Sequence, residues 1–363
     1  MSDIPFGKFF LPGPSDVHPD VIRAAMRPMI AHRGKAMDDI IAEIAQPLKA
    51  LFRTERAVIV GTCSATGFME MAVRSGIRNR VLAVVNGAFS ERFAGIAASC
   101  GREVVRLDVP WGKTVEPEML HDAIKRSEVD AVSIVHSETS TGALNPLGEL
   151  AKVVHQFDDV MLLVDTVSSM AGVPVETDKW DLDFVFTGSQ KAIAVPPGLA
   201  LAAASPRMIE RAKTIPERGA YLDLPTFHEA FSAGQPGPNT PAVSLFFQLE
   251  LQLKRIMAEG IEARWARHKA LLEATEHWVA TKGKQLGLSY LPDEGRRSWT
   301  VSCLKLPEKI TSKAVTQPLA QQGWTIGAGY GKLKDSTIRI GHMGEPTVPA
   351  LTELLGLIEK VMD

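Results

Sequence analysis

Cysteine is scarce in this chain. Three residues, Cys63, Cys100 and Cys303, occur in 363, none with CxxC spacing. So sparse and odd a set excludes a disulfide framework and reads as reduced and cytoplasmic. An excess of charge is also lacking: 40 Lys and Arg face 42 Asp and Glu, a net charge of −2. No basic face is implied, which argues against nucleic acid or an anionic membrane as partner. The apolar run Ala192–Ser205 is short and broken by Pro196-Pro197, whereas a bilayer span needs about 20 apolar residues. The start, Met1-Ser2-Asp3-Ile4-Pro5, lacks the basic-then-apolar order of a signal peptide. No internal repeat or low-complexity tract is found. The length suffices for two domains and a large core.

What is present is a strand–helix rhythm. Val58-Ile59-Val60, Val81–Val85, Val104–Val109, Ala131–Val135, Val160–Val164, Asp183–Phe186 and Leu199–Ala202 read as strands, mostly separated by helical stretches. Such alternation predicts an α/β fold: a large domain with a mostly parallel, seven-stranded sheet flanked by helices. Residues 10–19 hold three prolines and a glycine, so an extended segment is expected over 1–17. A boundary is expected at Gly260. Residues 18–259 then form the large domain and 260–363 a smaller α+β domain, with strand, helix, strand, strand, helix from 298. Gly327–Lys332 reads as a flexible turn.

Two strands deliver chemistry to one sheet edge. The run Val160–Val164 stops at Asp165, and the strand at Asp183–Phe186 leads into Gly188-Ser189-Gln190-Lys191. Ligands of open α/β sheets collect at the carboxyl ends of strands. A lysine and an aspartate there suit pyridoxal phosphate: the amine forms a Schiff base with its aldehyde, and the carboxylate keeps the pyridine nitrogen protonated. Taken singly, each has an ordinary alternative, a helix cap for Asp165 and a solvated side chain for Lys191. The turn Gly61-Thr62-Cys63-Ser64-Ala65-Thr66-Gly67 joins a strand to a helix N-terminus, a seat for a phosphate, or simply a cap. Phe89, at another strand-to-helix edge, can lie on an aromatic ring or belong to the core. The polar stretch His136–Gly142 offers Thr139 or Ser140 to a phenolic oxygen. Arg339 stands inside the apolar strand Ile338-Arg339-Ile340, where its planar fork matches a carboxylate or a structural ion-pair partner.

Pro12-Gly13-Pro14-Ser15, His32-Arg33, Ser64-Ala65-Thr66, Asn86-Gly87-Ala88-Phe89, Glu138-Thr139-Ser140-Thr141-Gly142, Asp165-Thr166-Val167-Ser168-Ser169, Gly188-Ser189-Gln190-Lys191, Thr240-Pro241 and Arg339-Ile340-Gly341 follow one another in an order and spacing that resembles the class V aminotransferases. The nearest resemblance within that class is to the alanine–glyoxylate and serine–glyoxylate (serine–pyruvate) group, and it runs almost end to end. It implies the fold of pyridoxal-phosphate-dependent transferases and a homodimer with shared sites. It also implies that Lys191 carries the internal aldimine and moves the proton, while Asp165 pairs with the pyridine nitrogen. Phe89 and Val167 would pack on the two ring faces. Ser64, Ala65, Thr66 and Gln190 would hold the phosphate, and Thr139 the phenolic oxygen. Thr240 would reach the neighbouring subunit's phosphate, and Arg339 would bind the substrate α-carboxylate. Two positions depart from the pattern: Ala65 stands where glycine is usual, and Gly237 where some relatives carry tyrosine.

The expected activity is ping-pong transamination between alanine or serine and glyoxylate or pyruvate. The runner-up is 2-aminoethylphosphonate–pyruvate transamination, on the wording of His136–Thr139 and Asn86-Gly87-Ala88. A cysteine desulfurase would need a mobile thiol, whereas Cys303 lies in an alternating strand. A non-enzymatic binding protein on the same fold is the remaining alternative.

Overall fold

Seven strands form one sheet in the computed structural model, which describes residues 5–363. Their spatial order is Val58–Gly61, Ala200–Ala204, Phe184–Gly188, Met161–Asp165, Ala131–Val135, Arg80–Val85 and Glu103–Asp108. From Phe184–Gly188 outward to Glu103–Asp108 every pairing is parallel. Ala200–Ala204 runs antiparallel to both of its neighbours. The cause is the short link before it. From Gly188 to Ala200 the chain turns back through Pro196-Pro197-Gly198 with no crossover helix, and a parallel return needs about a dozen residues or more, usually helical.

Alternation along each strand builds a core on both faces. Val60, Leu82, Val84, Val132, Ile134, Leu162 and Val164 belong to one apolar cluster, together with Leu150 and Phe246. Ile59, Val81, Leu163, Phe184 and Phe186 belong to the other, with Phe68, Met71 and Phe93. The sheet is therefore covered on both sides, as parallel sheets require.

Helix Val243–Glu259 passes into helix Ile261–Trp278 at Gly260, whose φ is +87°. Beyond it a second sheet carries the strands Ser289–Tyr290, Val301–Lys305, Thr337–Gly341 and Thr325–Ala328, backed by helices Ser312–Gln321 and Val348–Met362. Two details differ from the sequence-based expectation. Gly327 and Ala328 lie in a strand, paired with Arg339 and Ile338, not in a turn. The N-terminal segment is not merely draped: Phe9 and Phe10 pair in parallel with Thr325 and Ile326, as an edge strand of the second sheet. Phe10 packs there among Trp324, Ile326 and Ile340. From that anchor residues 11–15 cross to the large sheet, where the Ser15 amide donates to the Gln190 carbonyl at 2.8 Å. Among the described residues no helix is long and apolar enough to cross a membrane.

Candidate active site

The strand Met161–Asp165 pairs with Phe184–Gly188 so that Asp165 stands opposite Phe186. Five residues past Phe186 the chain reaches Lys191, and both side chains open into one pocket at the carboxyl edge of the sheet. Ser64, Ala65, Thr66, Phe89, Thr139, Val167 and Gln190 line it with them.

Lys191 is buried, and its amine donates to the Pro12 carbonyl. Burial, with the Arg339 cation nearby, lowers its pKa to about 7. Asp165 is also buried. Burial raises its pKa to about 7, opposed by the hydrogen bond it accepts from the Val167 amide at 2.8 Å on Oδ1. Its Oδ2 has no protein donor among the described residues, which leaves one oxygen for a ligand N–H. Both directions follow from one cause: a low-dielectric site disfavours the charged form of either group.

The loop that carries the lysine is fixed by three other elements. Ser15 Oγ donates to the Lys191 carbonyl at 2.7 Å. Arg264, fully buried, donates to the Ala192 carbonyl at 2.6 Å, and Gln252 to that of Ile193 at 2.9 Å. Gly13 lies against the lysine side chain. Its φ is +100°, and a Cβ there would run into Lys191 Cδ, Cε and Nζ.

A candidate anion seat lies across the pocket. Helix Ala65–Gly76 begins at Ser64, whose side chain makes no capping bond. The Ala65 and Thr66 amides, in the first turn, have no backbone acceptor among the described residues. Free N–H groups, two unpaired hydroxyls and the positive helix end together suit an anion. The alanine at 65 is accommodated because its neighbour is Gly188, where an added Cβ would come within 3.2 Å of the Ala65 Cβ. A side chain at Gly237 would be strained at φ +94° and would stand 3.2 Å from the Phe231 ring.

Phe89 forms a wall of the pocket, stacked on Tyr330 at 5.3 Å between centroids, with Lys191 Nζ 5.8 Å from its ring. Thr139 Oγ1 is hydrogen-bonded to Ser168 Oγ. Arg339 does not line the pocket itself. It sits beside it, donating from Nε to the Ala328 carbonyl at 2.9 Å and from a terminal nitrogen to the Thr139 carbonyl at 3.3 Å. No carboxylate reaches it within ion-pair distance among the described residues, so the structural ion-pair alternative finds no partner. Thr240 is exposed and lies outside the pocket.

Of the polar run after Val135, only Ser137 and Thr139 face the pocket. His136 is buried, its Nδ1 2.9 Å from Ser169 Oγ and its pKa pushed down to about 3 by burial, so it stays neutral. Cys303 is buried too, and burial raises its thiol to about 11; a mobile thiolate is the opposite of that state. Sequence reasoning missed Met69 and Arg92, which also line the pocket. Arg92 carried a signal, since it stands one helical turn after Phe89 and shares its face. Its guanidinium lies 5.1 Å from the Phe89 centroid and donates to Tyr330 Oη at 3.2 Å.

A free carboxylate oxygen, a neutralisable amine, an aromatic wall and an anion seat around one cavity fit pyridoxal phosphate: Asp165 for the ring nitrogen, Lys191 for the aldehyde, the 64–66 turn for the phosphate. Comparison with known proteins agrees in kind. The profile of the aminotransferase class-V family matches residues 18–333. An uncharacterised aminotransferase of Methanocaldococcus jannaschii is 38% identical over 92% of this chain and 87% of its own length. The serine–glyoxylate aminotransferase of Arabidopsis thaliana is 28% identical over 97% of this chain and 89% of its own. The solved alanine–glyoxylate aminotransferase of Nostoc sp. superposes with a TM-score of 0.92 at 28% identity, covering 100% of this chain and 97% of that one. The fold, the pocket and these likenesses lead to one assignment: the chain belongs to the class-V aminotransferase family.

Proposed function

We propose that this enzyme uses pyridoxal phosphate to move an amino group from a small amino acid, alanine or serine, to glyoxylate or pyruvate. The observation that carries the reading is the facing pair in one pocket: the Lys191 amine, brought to about 7, and the unpartnered oxygen of Asp165. When bound, the cofactor supplies an aldehyde for amines and a ring that withdraws electrons. The residues do the rest. Lys191 would hold the aldehyde and, once free, would serve as the base for the substrate Cα proton. An amine with a pKa near neutrality is free to act as that base. Asp165, buried and with one oxygen free, would hold the ring nitrogen in its protonated form. Phe89 and Val167, both lining the pocket, would pack against the ring. Ser64, Ala65, Thr66 and Gln190 would take the phosphate, Thr139 the phenolic oxygen, and Arg339 the substrate carboxylate through the terminal nitrogen left without a protein partner among the described residues.

Thr240 belongs in this reading to the neighbouring subunit's site, which makes the working unit a homodimer. Its exposure and its place two residues before Ala242, whose amide donates to Thr62 at 2.9 Å, support this role. Mixing Lys191→Ala and Thr240→Ala subunits should restore activity at limiting pyridoxal phosphate, since one hybrid site is then intact. No restoration would argue against a shared site.

Arg92 supports a second reading. It is a second cation on the pocket, without a carboxylate partner among the described residues, and a phosphonate dianion matches it. The donor would then be 2-aminoethylphosphonate. The visible spectrum of the cofactor-loaded protein separates the two. Bleaching by L-alanine or L-serine, restored by glyoxylate or pyruvate, supports the first. Bleaching by 2-aminoethylphosphonate alone supports the second. A protein that gives no visible band with pyridoxal phosphate refutes both.

A further inference from the structure

Glu138 is fully buried and has no Lys or Arg within ion-pair distance among the described residues. An anion left without a counter-ion in the interior is costly unless donors surround it. Here they do. One carboxylate oxygen accepts from the Ser90 amide at 2.9 Å, the Phe89 amide at 3.1 Å and Ser90 Oγ at 3.1 Å. The other accepts from Ser140 Oγ at 2.6 Å and the Ser140 amide at 3.1 Å. Ser140 Oγ in turn accepts from the Ala88 amide at 3.0 Å. The first group of donors is the opening turn of helix Ala88–Ser99, whose free N–H groups favour an anion. The second is the loop bearing Thr139. The approach is so close that a Cβ on Gly87 would collide with the Glu138 side chain.

We propose that Glu138 is a positioning residue of the cofactor site: its carboxylate ties the turn that carries Phe89 to the loop that carries Thr139, and its charge supports the cation at Lys191. This rests on the pyridoxal phosphate reading above. The wall over the ring and the donor to its phenolic oxygen come from segments about 50 residues apart, and Glu138 makes them one rigid piece. Four charged groups act on the lysine: Arg339 and Arg92 oppose its protonation, while Asp165 and Glu138 favour it. Removing Glu138 leaves Asp165 as the one supporting anion of the four.

Glu138→Gln keeps the shape and removes the charge. In the apoprotein, the pH dependence of Lys191 modification by an amine-reactive reagent, read by mass spectrometry, should move to lower pH. In the loaded protein the visible band should titrate at correspondingly lower pH, and the circular dichroism induced in it should fall several-fold as Phe89 loosens. Ser140→Ala removes two of the hydrogen bonds of the tie but not the charge, so it should lower the induced dichroism and leave the Lys191 midpoint in place. A folded Glu138→Gln protein with the wild-type midpoint overturns the proposal, since a purely structural role lowers the melting temperature alone. If that variant does not fold, wild-type dichroism in Ser140→Ala overturns it instead. Absence of a visible band in the wild type refutes the cofactor reading, while the apoprotein titration still tests the charge coupling.

Discussion

Gly13→Ala is the substitution whose consequence the structure fixes most narrowly. Two effects act at once. The backbone at φ +100° is one that only glycine adopts freely, and an alanine there costs about 1–3 kcal/mol. The new methyl would also overlap three side-chain atoms of Lys191. Pro12 and Gly13 are tied to the lysine loop through Lys191 and Ser15, so the amine moves more readily than the backbone. A displacement of about 1 Å at a reacting group costs roughly 100-fold in rate. Gly13→Ala should therefore lower kcat by about two orders of magnitude, with a loss of a few degrees in Tm. Initial rates at saturating pyridoxal phosphate, with thermal melts of the same sample, measure both. Wild-type kcat in a stably folded Gly13→Ala protein would show that the Gly13 turn does not press on the Lys191 amine.

Four further outcomes follow from the same geometry. Lys191→Met should abolish transamination yet stabilise the apoprotein, because the folded pKa lies near 7, below the 10.5 of the free side chain. The unfolded chain keeps that proton longer, so the burial cost is complete below pH 7 and shrinks as pH rises toward 10.5; melts at pH 6 should show a larger gain than melts at pH 9. Asp165 has the opposite displacement, from 3.8 to about 7, so its contribution to apoprotein stability declines as pH rises from about 4 to 7, and Asp165→Asn should flatten that part of the pH–Tm curve while cutting kcat. Arg339→Lys, which loses the fork, should raise KM for amino acid and keto acid by about 10- to 100-fold, the scale of a charged hydrogen bond; unchanged KM would remove the carboxylate assignment. Cys303→Ala should retain transamination, and loss of turnover with cofactor still bound would revive a thiol mechanism.

Much of the site was legible because its chemistry stands at strand ends. Asp165 closes an apolar run and Lys191 follows another, so topology alone brings them to one edge. Phe89 and the 64–66 turn were readable for the same reason, each at a strand-to-helix junction. What the sequence hid depends on partners far along the chain. Phe9 and Phe10 find Thr325 and Ile326, and nothing in a two-residue apolar pair announces that pairing. Pro12 meets Lys191 across 179 positions. Glu138 looked like one polar residue in a ligand loop, but its acceptors are spent on Phe89, Ser90 and Ser140. His136 likewise turned inward, to Ser169. The reversed strand Ala200–Ala204 was foreshadowed by Pro196-Pro197-Gly198, since a link without a helix cannot cross over.

Lys191 is proposed as the residue to which pyridoxal phosphate attaches. Borohydride reduction of the cofactor-loaded protein, followed by peptide mass spectrometry, tests it directly. A pyridoxyl group is expected on the peptide containing Lys191, and none after prior turnover with the amino donor in the absence of acceptor. A pyridoxyl group on another lysine, or none on any, would contradict it.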